Sequence, residues 1–401
     1  MKIALLHYTF WPEVGGVEHL MRDQANMLCR AGHEVTVVTG VGRETGEDYE
    51  VVVLPEMAPG HKLGTAVRTL LQGGQSDQNL NKYRALLVKA VGKALTGFDV
   101  TIVHNVFTTH HNLALTMALR DLAAKHRMIA WTHDLTATDS DHVLPNPTKS
   151  PWNLMRSSAP DVLYVAVSEQ RADELSEYLE PKVQPVVVPN AVDVVRLFGL
   201  TPEIRASLAS LDLAGRDLVL LLPARIRVRK NIEFALSIVQ RLCEMDLNPL
   251  LMITGGLGAT NEASERYADF LHKSLPEQIA GNVVFVSDFF EVQDDTLRDL
   301  YLLSDCLLFP SKQEGFGLPL IEAALHRLPI WCSKVPAFWA VEGEGCYLLE
   351  DLDQIPDALD WLQEQPTFRH RRLCRRIFDP GVIYEEYYEP LLATIPRTKL
   401  L

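Results

Sequence analysis

The chain has 401 residues, 47% of them hydrophobic, and a formal net charge of −14. That length suggests two or three domains with room for a sizeable core, and the acidic balance argues against a broad nucleic-acid surface or a strongly basic membrane-docking face. The six cysteines are scattered without a Cys-x-x-Cys pair, so neither a zinc site nor a disulfide framework is indicated, and no stretch approaches the ~20 apolar residues of a membrane span.

Lys2–His7 predicts a first strand rather than a signal peptide, which makes a reducing cytoplasm the default. A loop leads to Gly15-Gly16, then a helix over Val17–Arg30 whose apolar face is broken by Gln24, closed by Gly32, and a second apolar strand at His33–Thr39. This is a βαβ unit. Its glycine pair is not G-x-G-x-x-G, so the dinucleotide reading is weak; a backbone anion contact there competes with a simple tight turn. Glu50–Leu54 predicts another strand. Pro59–Gly97 is helical and more polar, with a Gly73–Ser76 break. Val100–His104 is a strand ending in His104-Asn105, followed by Thr108, Thr109, His110 and His111 and a helix over Leu113–Lys125. Met128–Thr132 is the next strand, ending in His133-Asp134. Open parallel sheets put ligands at strand ends, so His7, His104 and His133 point to one edge. A metal site competes, but no His-x-x-His or acidic spacing supports it. Leu135–Pro151 is long enough for a functional loop or lid. Val162–Val167 is a strand, Ser168 suits an N-cap for a helix over Glu169–Leu179, and Val186–Val188 closes this half.

Asp193–Gly215 is polar and helical, and Asp217–Leu222 starts a second sheet. PARIRVRKN at Pro223–Asn231 joins a strand to a cationic loop and an Asn231 placed to cap the next helix. That is a phosphate-site candidate, with a solvated basic loop as the alternative. Strands follow at Leu250–Thr254, ending in Gly255-Gly256, and at Val283–Val286, before Asp288-Phe289-Phe290. A helix covers Thr296–Ser304, and Cys306–Phe309 is a buried strand. In SKQEGFGLPLIEAALHRL, Ser311–Leu328, Pro319 suits a first helical turn. Leu320, Ile321, Ala324, Leu325 and Leu328 share one face. Gly315 and Gly317 let the backbone approach a ligand, and the helix start suits a phosphate. Glu314 and Glu322 bracket that turn. Carboxylates accept from hydroxyls, which points to sugar and ribose; the competing reading has Glu322 complementing the helix dipole and Glu314 solvated. Ile330–Ser333 and Cys346–Leu349 are closing strands. Asp357–Arg376 is helical and carries Arg369, His370, Arg371, Arg372, Arg375 and Arg376, a run read as a solvated face, with a phosphate or membrane contact as the minority alternative. Tyr384–Leu392 is an amphipathic tail. The whole predicts α/β architecture: two facing doubly wound domains, residues 1–192 and 193–379, with 380–401 packing back on the first.

Taken together, these stretches resemble the retaining glycosyltransferases of family 4, which have the GT-B fold. The resemblance rests on P-x-x-GG-V-E around Gly15-Gly16, GHEVTVVT at Gly32–Thr39, VSE at Val167–Glu169 and VPNAVD at Val188–Asp193. It continues in AR-x-x-x-x-KN at Ala224–Asn231 and EGFGLPLIE at Glu314–Glu322. The last two at this separation are the specific part. The chain departs from the family at Leu257–Glu262, at Asn190-Ala191 in place of Asn-Gly, and at His326–Trp339, which leaves donor and acceptor open. The resemblance implies a C-terminal domain holding a nucleotide-diphosphate sugar. Arg225 and Lys230 would neutralise the diphosphate without a metal or other cofactor, and Glu322 would take the ribose hydroxyls. Glu314 would hold the transferred sugar, and Gly315, Phe316, Gly317 and Leu318 would line the site. Gly15 and Gly16 would meet the phosphates from the other domain, and Phe289 would pack by the base. His133 would be the active-site histidine, its alternative being a buried histidine bonded to Asp134. Asn105, Thr108 and the Pro59–Gly97 segment are the acceptor candidates. The implied reaction is front-face transfer of a hexose from a UDP-, GDP- or ADP-sugar to a hydroxyl of a soluble acceptor. A GT-B-fold sugar-nucleotide epimerase and a non-catalytic nucleotide-sugar sensor are the alternatives. No nucleic-acid partner is expected.

Overall fold

A computed structural model describes residues 1–72, 78–138, 144, 147–255, 262–335 and 345–395. The Gly73–Ser76 break, much of the 135–151 loop, Gly256 with most of 257–262, and the end of the 326–339 stretch lie outside the described residues. The chain divides into two units, Met1–Val192 with Pro380–Leu401, and Asp193–Asp379.

In the first unit, seven parallel strands run in the order β3-β2-β1-β4-β5-β6-β7. They are β1 (Lys2–Thr9), β2 (Glu34–Val41), β3 (Glu50–Val53), β4 (Val100–His104), β5 (Met128–Thr132), β6 (Val162–Ala166) and β7 (Val186–Val187). Every residue of β4 and β5 is buried. Helices cover both faces, which is why these strands read as continuous apolar runs rather than as alternation. The order reverses between β1 and β4, so the crevice beyond their carboxyl ends is where such a sheet receives a ligand. Those ends carry His7 and His104.

The second unit repeats the plan with six parallel strands in the order β10-β9-β8-β11-β12-β13. They are β8 (Leu218–Leu222), β9 (Pro249–Ile253), β10 (Val283–Phe285), β11 (Cys306–Phe309), β12 (Ile330–Cys332) and β13 (Tyr347–Leu348). Here the reversal falls between β8 and β11. The chain leaving β8 is Pro223–Asn231, and the chain leaving β11 leads to Glu314 and Gly317.

Local chemistry sets the helix boundaries. Ser168 caps its helix by accepting from the Arg171 amide at 3.2 Å. Asn231 occupies the expected cap position but makes no side-chain cap bond; it adopts φ 55°, the left-handed conformation that asparagine tolerates. The helical stretch expected over Asp357–Arg376 consists of two helices, Ile355–Glu364 and Pro366–Phe378. Gln365 precedes Pro366 and is pushed to an extended ψ of 115°. Its basic run is a solvated face only in part: Arg369, His370 and Arg376 are exposed, and the others are engaged. Arg372 pairs with Asp217 at 2.7 Å, and Arg375 pairs with the fully buried Asp305 at 2.8 Å. Arg371 donates to the Leu302 carbonyl. The C-terminal stretch returns to the first unit, where Ile383, Tyr388, Leu391 and Leu392 join the core on one side of its sheet. Tyr384–Tyr388 is a π-helical turn just ahead of Pro390. Proline has no N–H to offer the preceding turn, and a widened turn accommodates the loss.

Candidate functional site

In the first unit the expected histidines meet. His7 Nδ1 donates to the His104 carbonyl at 3.0 Å, and His104 Nδ1 lies 3.0 Å from His133 Nε2, with the two rings stacked. Behind them, His104 Nε2 is 2.9 Å from Gln24 Oε1, and Gln24 Nε2 donates to the Tyr388 hydroxyl at 2.7 Å. With the amide in this orientation, Gln24 Oε1 must receive the His104 Nε2 proton. A neutral His104 then accepts at Nδ1 from His133 Nε2–H. His133 Nδ1 is left as a bare acceptor, buried and without a partner among the described residues. Burial keeps all three rings neutral: it pulls His133 down to about 4, with His7 adding to the effect, and lowers His7 and His104 as well.

Asn105 and Thr108 hold this arrangement. The Asn105 side chain accepts from the His133 and Asp134 amides at 2.9 and 3.0 Å and donates to Asp134 Oδ2 at 2.9 Å. Thr108 donates to the Asp134 carbonyl at 2.7 Å. Both are buried, so their polar groups are spent on fixing the β5 end rather than offered to a ligand. The reading of His133 as a histidine bonded to Asp134 finds no such bond: Asp134 is tied to Asn105, and His133 to His104. At Gly15-Gly16 the helix Gly16–Arg30 starts, but Glu18 already occupies its positive end, accepting from Thr9 Oγ1. Gly15 is extended, with φ −158°, and a Cβ there would meet the Glu18 carboxylate at 2.1 Å.

In the second unit the cationic loop and the acidic loop meet across the β8/β11 reversal. Lys230 Nζ pairs with Glu314 Oε1, and Arg229 Nη1 lies 3.1 Å from Glu314 Oε2. The two loops are also stitched by backbone, Lys312 N donating to Arg229 O at 2.8 Å. Lys230 is buried with its ammonium 4.6 Å over the Phe309 ring. Burial lowers the Lys230 pKa against the pull of Glu314. Burial alone would raise Glu314, but the Lys230 bond and charge, with Arg229, hold it below the usual carboxylate value. Arg225 stands exposed on the same loop with no partner among the described residues. Gly317 precedes the helix Leu318–Leu325 with φ 84°, a conformation that requires glycine. A Cβ on Gly315 would meet nothing, so packing does not dictate glycine there. Phe316 and Leu318 are each 58% exposed and Phe289 63%, all three large apolar side chains facing solvent. Glu322 accepts from the Tyr301 hydroxyl at 2.7 Å.

Four participants escaped sequence reasoning. Arg229 was one cation among several. Tyr388 is brought in from the far end of the chain, with no local mark. Tyr301 lies inside an ordinary amphipathic helix. Gln24 left a visible signal, a polar residue interrupting an apolar face.

Residues 14–196 match the family model described as Glycosyltransferase Family 4, and residues 203–372 match Glycosyl transferases group 1. The two matched segments, one on each sheet, define a two-domain glycosyltransferase. The chain belongs to the family 4 glycosyltransferases. It is similar to mannosylglucosylglycerate synthase from Thermotoga maritima, 25% identical over 97% of this chain and 94% of that one. It is also similar to D-inositol 3-phosphate glycosyltransferase from Actinosynnema mirum, 25% identical over 80% of this chain and 76% of that one. Among solved structures, sucrose-phosphate synthase from Thermosynechococcus elongatus aligns over 98% of this chain and 99% of its own, at 17% identity and a TM-score of 0.39. No helix of the described residues is long and apolar enough to cross a membrane.

Proposed function

We propose that the chain transfers a hexose, with retention of anomeric configuration, from a nucleoside-diphosphate sugar to a hydroxyl of a small polar acceptor. The observation that carries this reading is the Arg229–Glu314–Lys230 group over the β8/β11 reversal. Those three side chains leave one net positive charge, and Arg225 adds a second from the same loop. That is the sign of charge a departing diphosphate needs. Glu314, held ionised by its cations, accepts from hydroxyls of the transferred sugar, and Glu322 accepts from the ribose. Gly315 to Leu318 lie along the phosphates and sugar, with Phe289 as the candidate partner of the base. Gly15 and Gly16 are weaker candidates, because Glu18 would repel an anion there.

The reaction is a front-face displacement. The acceptor oxygen bonds to the anomeric carbon as the bond to the phosphate oxygen breaks, and the acceptor proton passes to that departing oxygen. His133, neutral and fixed from behind, offers Nδ1 to a hydroxyl. The loop cations supply the charge compensation that a divalent ion supplies elsewhere, so transfer is expected to persist in a chelator. The acceptor candidates shift from Asn105 and Thr108, which are internally spent, to the 59–97 segment. The names of two relatives, which include glycerate and inositol 3-phosphate, favour a small polar acceptor.

The test is incubation with UDP-, GDP- and ADP-linked glucose and mannose in the presence of EDTA, with products assigned by NMR. The expected result is transfer or donor hydrolysis with one nucleotide, the new linkage keeping the donor's configuration. No turnover with any donor would contradict the proposal. An altered sugar nucleotide formed without an acceptor would instead favour an epimerase.

A further inference from the structure

An open recess lies in the first unit among the helices Lys62–Gln72 and Gln78–Ala94 and the start of the helix Leu113–Ala123. Val67, Leu113 and Trp152 give it apolar walls, and Arg68, His110 and His111 also line it. Arg68 is half-buried, yet it has neither a carboxylate nor a carbonyl partner among the described residues. Most other half-buried arginines of this chain are occupied, with Arg227 on the Pro223–Asn231 loop as an exception among the described residues. Arg22 pairs with Glu47, Arg171 with Glu174, Arg372 with Asp217 and Arg375 with Asp305, and Arg120 donates to the Ser157 and Ser158 carbonyls. A guanidinium cannot lose its proton to ease burial, so withdrawing one from water without a partner is unfavourable unless an anion completes the site. Of the other polar groups in the lining, the Tyr83 hydroxyl is already taken by the Glu56 carbonyl and the Asn112 amide, and His110 Nδ1 lies 3.1 Å from Thr136 Oγ1. The planar donor fork of arginine matches a carboxylate or a phosphate.

We propose that this recess receives the acid group, carboxylate or phosphate monoester, of the sugar acceptor, with Arg68 as its counter-ion and His110 and His111 beside it in the lining. The assignment rests on the transferase reading for the word acceptor, but its binding chemistry can be measured without any transfer. The remainder of such an acceptor carries the hydroxyl that is glycosylated. A neutral polyol of the same size would leave Arg68 unpaired and bind less well.

The experiment uses the full chain and two matched pairs of probes, D-glycerate against glycerol and myo-inositol 3-phosphate against myo-inositol, titrated by ligand-observed NMR. At least one acid is expected to bind more tightly than its neutral partner by about tenfold or more, the range of a hydrogen bond to a charged group. Which pair shows the preference separates carboxylate from phosphate. Arg68→Met is expected to abolish the preference and Arg68→Lys to keep part of it, both with unchanged thermal melting. In transfer assays, Arg68→Met raises KM for the acid acceptor and leaves kcat and the donor KM alone. Equal binding of acids and polyols, no binding of either acid, or a preference that survives Arg68→Met would overturn the proposal. Arg68-dependent acid binding without turnover of any nucleotide sugar would keep the recess and remove the transferase reading. Transfer to neutral acceptors alone would do the opposite.

Discussion

At Glu314, two cations and burial pull in opposite directions, and the cations win: the carboxylate stays ionised although only 8% of the side chain is exposed. Glu314→Gln keeps the shape and removes the charge, leaving the buried Lys230 ammonium with a weaker partner. The expected cost is about 1–3 kcal/mol of stability, the range for a buried group losing its charged partner, with transfer falling by more than the stability loss explains. Denaturant midpoints and initial rates measured together check this; full activity in a destabilised variant would remove Glu314 from the site. The three histidines make a separate prediction. Folding holds His133 at about 4 against an ordinary value of 6.5, and His7 and His104 are lowered too, burial being the first cause in each. The unfolded chain therefore binds more protons between those limits, so stability rises with pH across the window and is lost as pH falls from 6.5 towards 4. His133 alone contributes on the order of 3 kcal/mol to that change. Urea midpoints at roughly pH 7.5 and pH 5 are the measurement, with a flatter dependence expected for His104→Gln. A wild-type midpoint that does not move would contradict the burial argument.

Element by element, the parallel strands were legible because burial on both faces writes them as apolar runs, and the ends of β1, β4 and β5 announced themselves with histidines. The helix Leu318–Leu325 was legible from Pro319 and its apolar face. What local sequence could not carry was pairing at a distance. The arginines of Pro366–Phe378 look like a solvated stripe, because the aspartates that claim them, Asp217 and Asp305, lie 155 and 70 residues earlier in the sequence. Asn105 and Thr108 sit where a ligand contact belongs, yet the β5 end consumes their hydrogen bonds. Arg375→Ala tests the first point: it leaves the fully buried Asp305 without its cation and is expected to lower stability by about 3–5 kcal/mol, as for a buried pair broken on one side. Arg369→Ala, at a residue exposed and without a side-chain partner among the described residues, should change it by less than about 0.5 kcal/mol. Equal effects in denaturant would show that the run is a solvated face after all.

Across the whole molecule, two sheets of the same winding place their chemistry at equivalent points, where strand order reverses: neutral histidines in the first unit, a cation-rich ion pair in the second. Family membership accounts for the pairing of the two units in one chain, and the acidic average charge makes the positive group at β8/β11 stand out. The central claim is that this positive group receives a nucleoside diphosphate. Calorimetric titration of UDP, GDP and ADP into the wild-type chain and into Lys230→Met tests it most directly. One diphosphate is expected to bind the wild type and to lose about tenfold or more in affinity in the variant, the scale of a lost charge-assisted bond. Equal affinities in both proteins, or no binding of any of the three, would contradict the account.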